Sequence, residues 1–115
     1  MIYAVVGCRN YALDYEQIAK ILYNYIALGK DYIVTGDATG IDKIARRFGK
    51  ENNISVGVFK ANWNEYGKAA GPIRNEKLVK ECNELIAFWD GKSKGTKSSI
   101  KLASEMKKPI HIYWI

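Results

Sequence analysis

Histidine occurs once, cysteine twice and proline twice in this chain of 115 residues, and each scarcity closes off a class of function. Cys8 and Cys82 are too few for a disulfide framework and have no metal-ligand spacing, so they read as buried thiols. His111 sits in the strand-like stretch "PIHIYWI" and reads as a structural or solvent-facing side chain. A zinc site is thereby excluded, and neither a metal nor a cofactor is expected. No segment approaches the roughly 20 apolar residues that span a bilayer, and "MIYAVVGCRN" turns polar too early for a secretory signal. The expected location is cytoplasmic, with no membrane partner. The length suits one domain over residues 1–115, large enough for a real hydrophobic core.

What is abundant is positive charge. Eighteen basic residues against 12 acidic ones leave +6, which favours anionic partners without naming them. Fourteen of the basic residues are lysines scattered along helix-like segments, where a solvated surface accounts for most of them. The arginines are Arg9, Arg46, Arg47 and Arg74; Arg9 and Arg74 lie in loop motifs and stand out for that reason.

Apolar runs alternate with helical patterns along the chain. "IYAVVG", residues 2–7, is a continuous apolar run of the kind a buried parallel strand needs. Asp14 is a good N-cap for a helix carrying Tyr15, Ile18, Ala19, Leu22, Tyr25 and Ile26, with Gly29 as its stop. "YIVTG" is a second strand. Ile41, Ile44, Ala45 and Phe48 mark a second helix, again followed by a glycine, and "ISVGVFK" is a third strand. "ANWNEYGKAAG" has no clean period and reads as a long loop or a loop with a short helix. Pro72 suits the first turn of the next helix, with Ile73, Leu78, Val79 and Cys82 facing inward. "ELIAFWDG", a helix around Ile100, Leu102, Ala103 and Met106 that ends at Pro109, and "IHIYWI" complete the series. The C-terminal "IYWI" suits a buried edge strand or a contact in a homo-oligomer. The pattern predicts an α/β fold, a Rossmann-like three-layer sandwich around a mostly parallel five-stranded sheet. Such sheets bind ligands beyond the carboxyl ends of their strands, where the strand order reverses.

Four loops emerge at that edge. "TGDATGID" follows a strand and opens a helix, so its backbone amides and the helix dipole suit a phosphate. "KGTKS" repeats the arrangement after the fourth strand, with Thr96 and Ser98 as hydroxyl donors. In either loop the glycines could instead merely turn the chain. Arg9 and Arg74 can each pair bidentately with a phosphate or carboxylate, or simply be solvated. Trp63, Tyr66 and Trp89 could stack on a base or pack as core. Asp37 is out of place in a phosphate cradle; it either caps its own loop or accepts from a sugar hydroxyl. Asp42, in the first turn of a helix, complements the dipole and could also accept from a sugar hydroxyl or a ligand amine.

"GCRN", "TGDATGIDKIA", "WNEYGKAAGPIRN" and "AFWDGKSKGT" together resemble, in order and spacing, the YspA-like branch of the SLOG superfamily, which also holds the LOG phosphoribohydrolases and the DNA-processing protein DprA. The resemblance covers nearly the whole chain. It implies a Rossmann-like fold with a site for nucleotides or nucleotide-derived ligands, and ligand residues Gly7, Arg9, Gly36, Gly40, Asp42, Gly71, Arg74, Asn75, Gly95 and Thr96. There are departures. The first motif usually reads Gly-Ser-Arg-Asp. The second usually has two adjacent glycines and an arginine, where Asp37 and Thr39 stand here. The LOG motif similar to "KGTKSS" ends in a glutamate that acts at the N-glycosidic bond, and Ser99 occupies its place. A hydroxyl cannot supply a carboxylate's charge to an oxocarbenium-like transition state; Asp42 or Glu76 would have to substitute.

The leading expectation is therefore binding of a nucleotide-derived small molecule, such as an ADP-ribose-like or cyclic nucleotide signal, by a sensor or sequestering protein. The alternatives are a nucleoside-monophosphate N-glycosidase and, ranked last because the lysines do not cluster with aromatics, a single-stranded nucleic-acid binder.

Overall fold

Six residues of uninterrupted apolar character, Ile2–Gly7, form the central strand β1 of the computed structural model, which describes residues 1–9 and 13–115. The strands β1, β2 (Tyr32–Gly36), β3 (Val56–Phe59), β4 (Glu84–Trp89) and β5 (Ile110–Trp114) form one sheet in the order β3-β2-β1-β4-β5. Every pairing is parallel, so the "mostly parallel" sheet expected is wholly so. Between the strands run helices α1 (Tyr15–Tyr23), α2 (Ile41–Glu51), the short α3 (Trp63–Tyr66), α4 (Ala70–Glu81) and α5 (Lys94–Glu105).

Alternate residues of β1 feed two separate cores, as the period of a strand requires. Tyr3 and Val5 join Ile33, Ile86 and Phe88 under α1 and α2. Ala4 and Val6 join Val34, Leu85 and Ala87 under α4 and α5. Two helix layers thus cover both faces, the only way to bury strands this apolar. The order reverses between β1 and β4, because the chain crosses from the β3 edge back past β1. That reversal splays the loops after β1 and β4 apart and opens a crevice at their carboxyl ends.

Element ends differ from expectation in three places. Helix α1 starts at its Asp14 capping box with Gln17 but ends at Tyr23, well before Gly29. Residues 24–30 turn instead, and the buried Ile26 anchors that turn. Gly49 does not stop α2, which runs on to Glu51; it lies where the helix crosses β3 so closely that a Cβ would fall 2.1 Å from Val56. The aperiodic stretch resolves into α3, a 3-10 turn over Gly67–Ala69 and the start of α4. The C-terminal strand is an edge strand on β4 with Trp114 exposed. Cys8 and Cys82 are both buried and not joined to each other, and His111 pairs with Glu84 at 2.7 Å. Among the described residues no helix is long and apolar enough to cross a membrane, and no cluster of side chains suits a metal ion.

Candidate functional site: a pocket at the strand crossover

The crevice between β1 and β4 is a cavity of about 380 Å³. Its floor is the end of β1, Val6, Gly7 and Cys8. One wall is the loop after β2 with the start of α2, represented by Gly36, Ala38 and Asp42. The opposite wall is the loop after β4 with the first turns of α5, represented by Asp90, Ser93, Gly95, Thr96 and Ser99. Arg9 and, from α4, Arg74 and Asn75 close the sides. The turns at 36–40 and 95–96, far apart in sequence, therefore face one another across a single space.

Two glycines make the β2 wall possible. Gly40 has φ +76, a region open to glycine, and a Cβ there would lie 2.5 Å from the Cα of Arg9. The loops after β1 and β2 touch backbone to backbone, joined by the Ile41 amide donating to the Cys8 carbonyl at 3.3 Å. At Gly36 a Cβ would lie 2.4 Å from an Asp42 carboxylate oxygen and 2.5 Å from Arg74 Nη1. The absent side chain is the space in which Asp42 and Arg74 come together.

The β2 wall is extensively tied down. Arg46, one turn along α2, donates Nη1 to the carbonyls of Gly36 at 2.8 Å and Ala38 at 3.1 Å. Asp42 accepts from the Ala38 amide at 3.3 Å. Asp37 forms an ion pair with Arg74 at 3.0 Å, and Arg74 also donates Nε to Asn75 at 2.9 Å. Burial pushes the Asp42 carboxyl up from its ordinary range, opposed by Arg74, the Ala38 amide and Arg46. A perturbed acid on a pocket wall is a common mark of a functional site.

The β4 wall is looser. Trp89 donates its indole N–H to the Ser93 carbonyl at 3.1 Å and packs on Trp114 at 5.2 Å between centroids. Asp90 accepts from the amides of Lys92 and Ser93, both at 2.8 Å, closing a tight turn that holds its carboxyl below the usual range. Ser93 stands at the N-cap of α5 without a side-chain capping bond; its hydroxyl meets the Thr96 side chain instead, at 3.2 Å from Oγ1. Asn75 and Ser99 both donate to the Gly95 carbonyl, at 3.3 and 3.4 Å. Gly95 and Thr96 in the first turn of α5 line the cavity, and the amide end of that helix has no side-chain cap, an arrangement that favours anions.

Of the residues singled out in the sequence, Gly7, Arg9, Gly36, Asp42, Arg74, Asn75, Gly95 and Thr96 line the cavity. Asp37 stands behind Arg74, and Gly40 acts through the backbone. Gly71 lies against the Trp63 ring. Trp63 and Tyr66 are exposed on α3, away from this cavity, and Trp89 is engaged with Trp114 and Ser93. Asn10, the last residue of the first motif, lies outside the described residues. Ser98 does not line the cavity; Ser93 and Ser99 join Thr96 as the hydroxyls of the β4 wall. Glu76 pairs with Lys80 on the surface at 3.2 Å, outside the cavity. Arg46 also holds the β2 wall and Ser93 and Asp90 line the β4 wall; of these three only Asp90 carries a signal in the sequence, a DG turn directly after a strand.

No family model matches the chain. Over an alignment of 84 positions it is 31% identical to the Gene 61 protein of Mycobacterium phage D29, and the match covers 68% of this chain and 67% of the phage protein. The chain belongs to the family of that phage protein. Among solved structures, the fold of this family member matches DNA processing protein A from Helicobacter pylori with a TM-score of 0.78 at 20% identity. The match covers 97% of this chain and 64% of that one, a protein studied for its single-stranded DNA binding mode. The Rossmann-like α/β fold expected from the sequence is thereby borne out.

Proposed function

We propose that this protein binds single-stranded nucleic acid and seats one nucleotide of the strand, with its phosphate, in the pocket at the crossover. The observation that carries the reading is the balance of charge on the pocket wall. Among the described residues the charged side chains there are Arg9, Arg74, Asp42 and Asp90, two cations and two acids. A terminal phosphate brings nearly two negative charges into a space with no surplus of positive charge to meet them. A phosphodiester brings only one, and the exposed amide end of α5 supplies the remaining attraction. Asp42 and Asp90 are left to accept from sugar or base donors. The overall charge of +6 favours a polyanion, and the match in fold to a protein that binds single-stranded DNA supports the same choice.

This reverses the order in which the sequence alone ranks the readings, placing the nucleic-acid alternative ahead of small-molecule sensing. The small-ligand reading keeps one specific support, since a cavity of about 380 Å³ is of the size that takes a small organic ligand. Assignment to the YspA-like branch, which rests on the loop motifs, remains part of this proposal. Fluorescence anisotropy of labelled oligothymidylate tests the reading. Saturable binding should weaken with salt, with a log–log slope of about −1 to −2 for two or three phosphate contacts. Absence of binding at low salt, together with calorimetric binding of AMP or ADP-ribose, would transfer the site to a small ligand.

A further inference from the structure

A second cavity, of about 500 Å³, adjoins the first at Arg74, which lines both. Its other walls include Phe59, Lys60, Asn62, Tyr66 and Lys77. Two features set it apart from an ordinary surface groove. The first is charge. Lys60, Arg74 and Lys77 face it with Glu65 as the acid. That carboxylate accepts from Asn62 Nδ2 at 3.0 Å while the Glu65 amide donates back to Asn62 at 3.2 Å. Unlike the first cavity, this one has cations in surplus. The second feature is α3 itself. None of its four residues is buried, yet it presents two aromatic rings to solvent, Trp63 at 54% and Tyr66 at 40% exposure. The Asn62 cap holds the helix in place at no gain in core packing.

Cations that track a backbone beside an exposed ring are the elements of a platform for single strands, where base–aromatic stacking adds to phosphate attraction. Arg74 stands at the junction, with Nη1 on Asp37 at 3.0 Å and 3.4 Å from the Phe59 carbonyl. We infer that this second cavity is the subsite for the neighbouring nucleotide of the strand, with Tyr66 stacking on its base and Lys60 and Lys77 meeting its phosphate. The inference rests on the single-strand reading above and adds to it a direction of travel, from the crossover pocket past Arg74 towards α3.

The test compares two probes, the methyl phosphodiester of thymidine 5′-monophosphate, which carries one negative charge as a strand phosphate does, and an oligothymidylate of about ten nucleotides, on four variants. Tyr66→Ala and Lys77→Ala alter side chains of exposed residues, so the fold should persist, as circular dichroism would check. Each should weaken the oligonucleotide about tenfold and leave the methyl phosphodiester unchanged. Tyr66→Phe keeps the ring and should bind as the wild type does. Arg9→Ala, in the first cavity, should weaken both probes. An oligonucleotide affinity unchanged in Tyr66→Ala and Lys77→Ala but lost in Arg9→Ala would overturn the second subsite and leave the first intact. A Tyr66→Phe loss as large as that of Tyr66→Ala would overturn stacking, and equal loss of the methyl phosphodiester would place Tyr66 in the first site. Failure of the wild type to bind the oligonucleotide would reject the single-strand reading itself and this inference with it.

Discussion

The loops after β2 and β4 face one another across the same cavity, yet they are built on opposite plans. The β2 loop carries Asp37 and, one turn on, Asp42. Two arginines bind it from outside, Arg46 through its carbonyls and Arg74 through Asp37. The β4 loop carries lysines on either side of Gly95 and Thr96 and leaves the amide end of α5 without a side-chain cap. One wall is therefore a rigid frame with its polar groups largely spoken for, and the other has donors to spare. A phosphate belongs on the β4 side, and the β2 side selects what accompanies it. The carboxylate in "GDATG" does not contradict an anion site once it is seen that Asp37 faces Arg74 rather than the cavity.

The comparison can be broken most severely at Arg74, which contacts the β2 loop through Asp37 and reaches the β4 loop through Asn75. Arg74→Ala should weaken oligothymidylate by about thirtyfold or more, ~2 kcal/mol for lost charge-assisted contacts. Lysine should fail to restore it, because a point charge cannot replace the planar fork; titration of both variants by anisotropy checks this. Arg46→Ala attacks the β2 frame alone. Two loop carbonyls lose their donor, so urea unfolding should show a loss of about 1–3 kcal/mol, with faster hydrogen exchange at residues 36–40. Asp37→Asn should act in the opposite direction. It releases Arg74 from a partly exposed ion pair, so oligonucleotide affinity should rise, by about threefold.

The smallest effect concerns Asp42. Its folded pKa is raised by burial, so the native state holds the proton to higher pH than the unfolded chain does. The associated stability is fully present below the ordinary aspartate pKa and is lost as pH rises through the raised one. Asp42→Asn should remove that decline. Thermal unfolding from acid to neutral pH should show the variant's melting temperature pulling level with or above the wild type's as pH rises, with its binding of the strand the quantity that reports any bond to a sugar hydroxyl.

Much of this was legible in the sequence where signal is local. "IYAVVG" is short, β-branched and closed by a glycine, as a strand buried on both faces is, and alternating apolar runs and helices imply the parallel sheet. The fold then places every inter-element loop after β1, β2 and β4 at one rim, so Gly36, Asp42, Gly95 and Thr96 were nameable before any coordinates. What escaped notice depends on reach. Arg46 sits among helix residues and looks solvated, and only three-dimensional placement shows its guanidinium turning back onto Gly36 and Ala38. Gly49 reads as a helix stop, although its purpose is close approach to Val56. The α3 segment has too few residues for a period to appear, so its exposed rings could not be told from core aromatics.

The account is tested most directly by following backbone amide resonances during titration with oligothymidylate. It predicts that Gly95, Thr96 and Ala38 shift together, with Tyr66 and Lys77 following, while β5 and α1 stay still. Shifts confined to surface lysines elsewhere, with the amides of Gly95 and Thr96 unmoved, would contradict it.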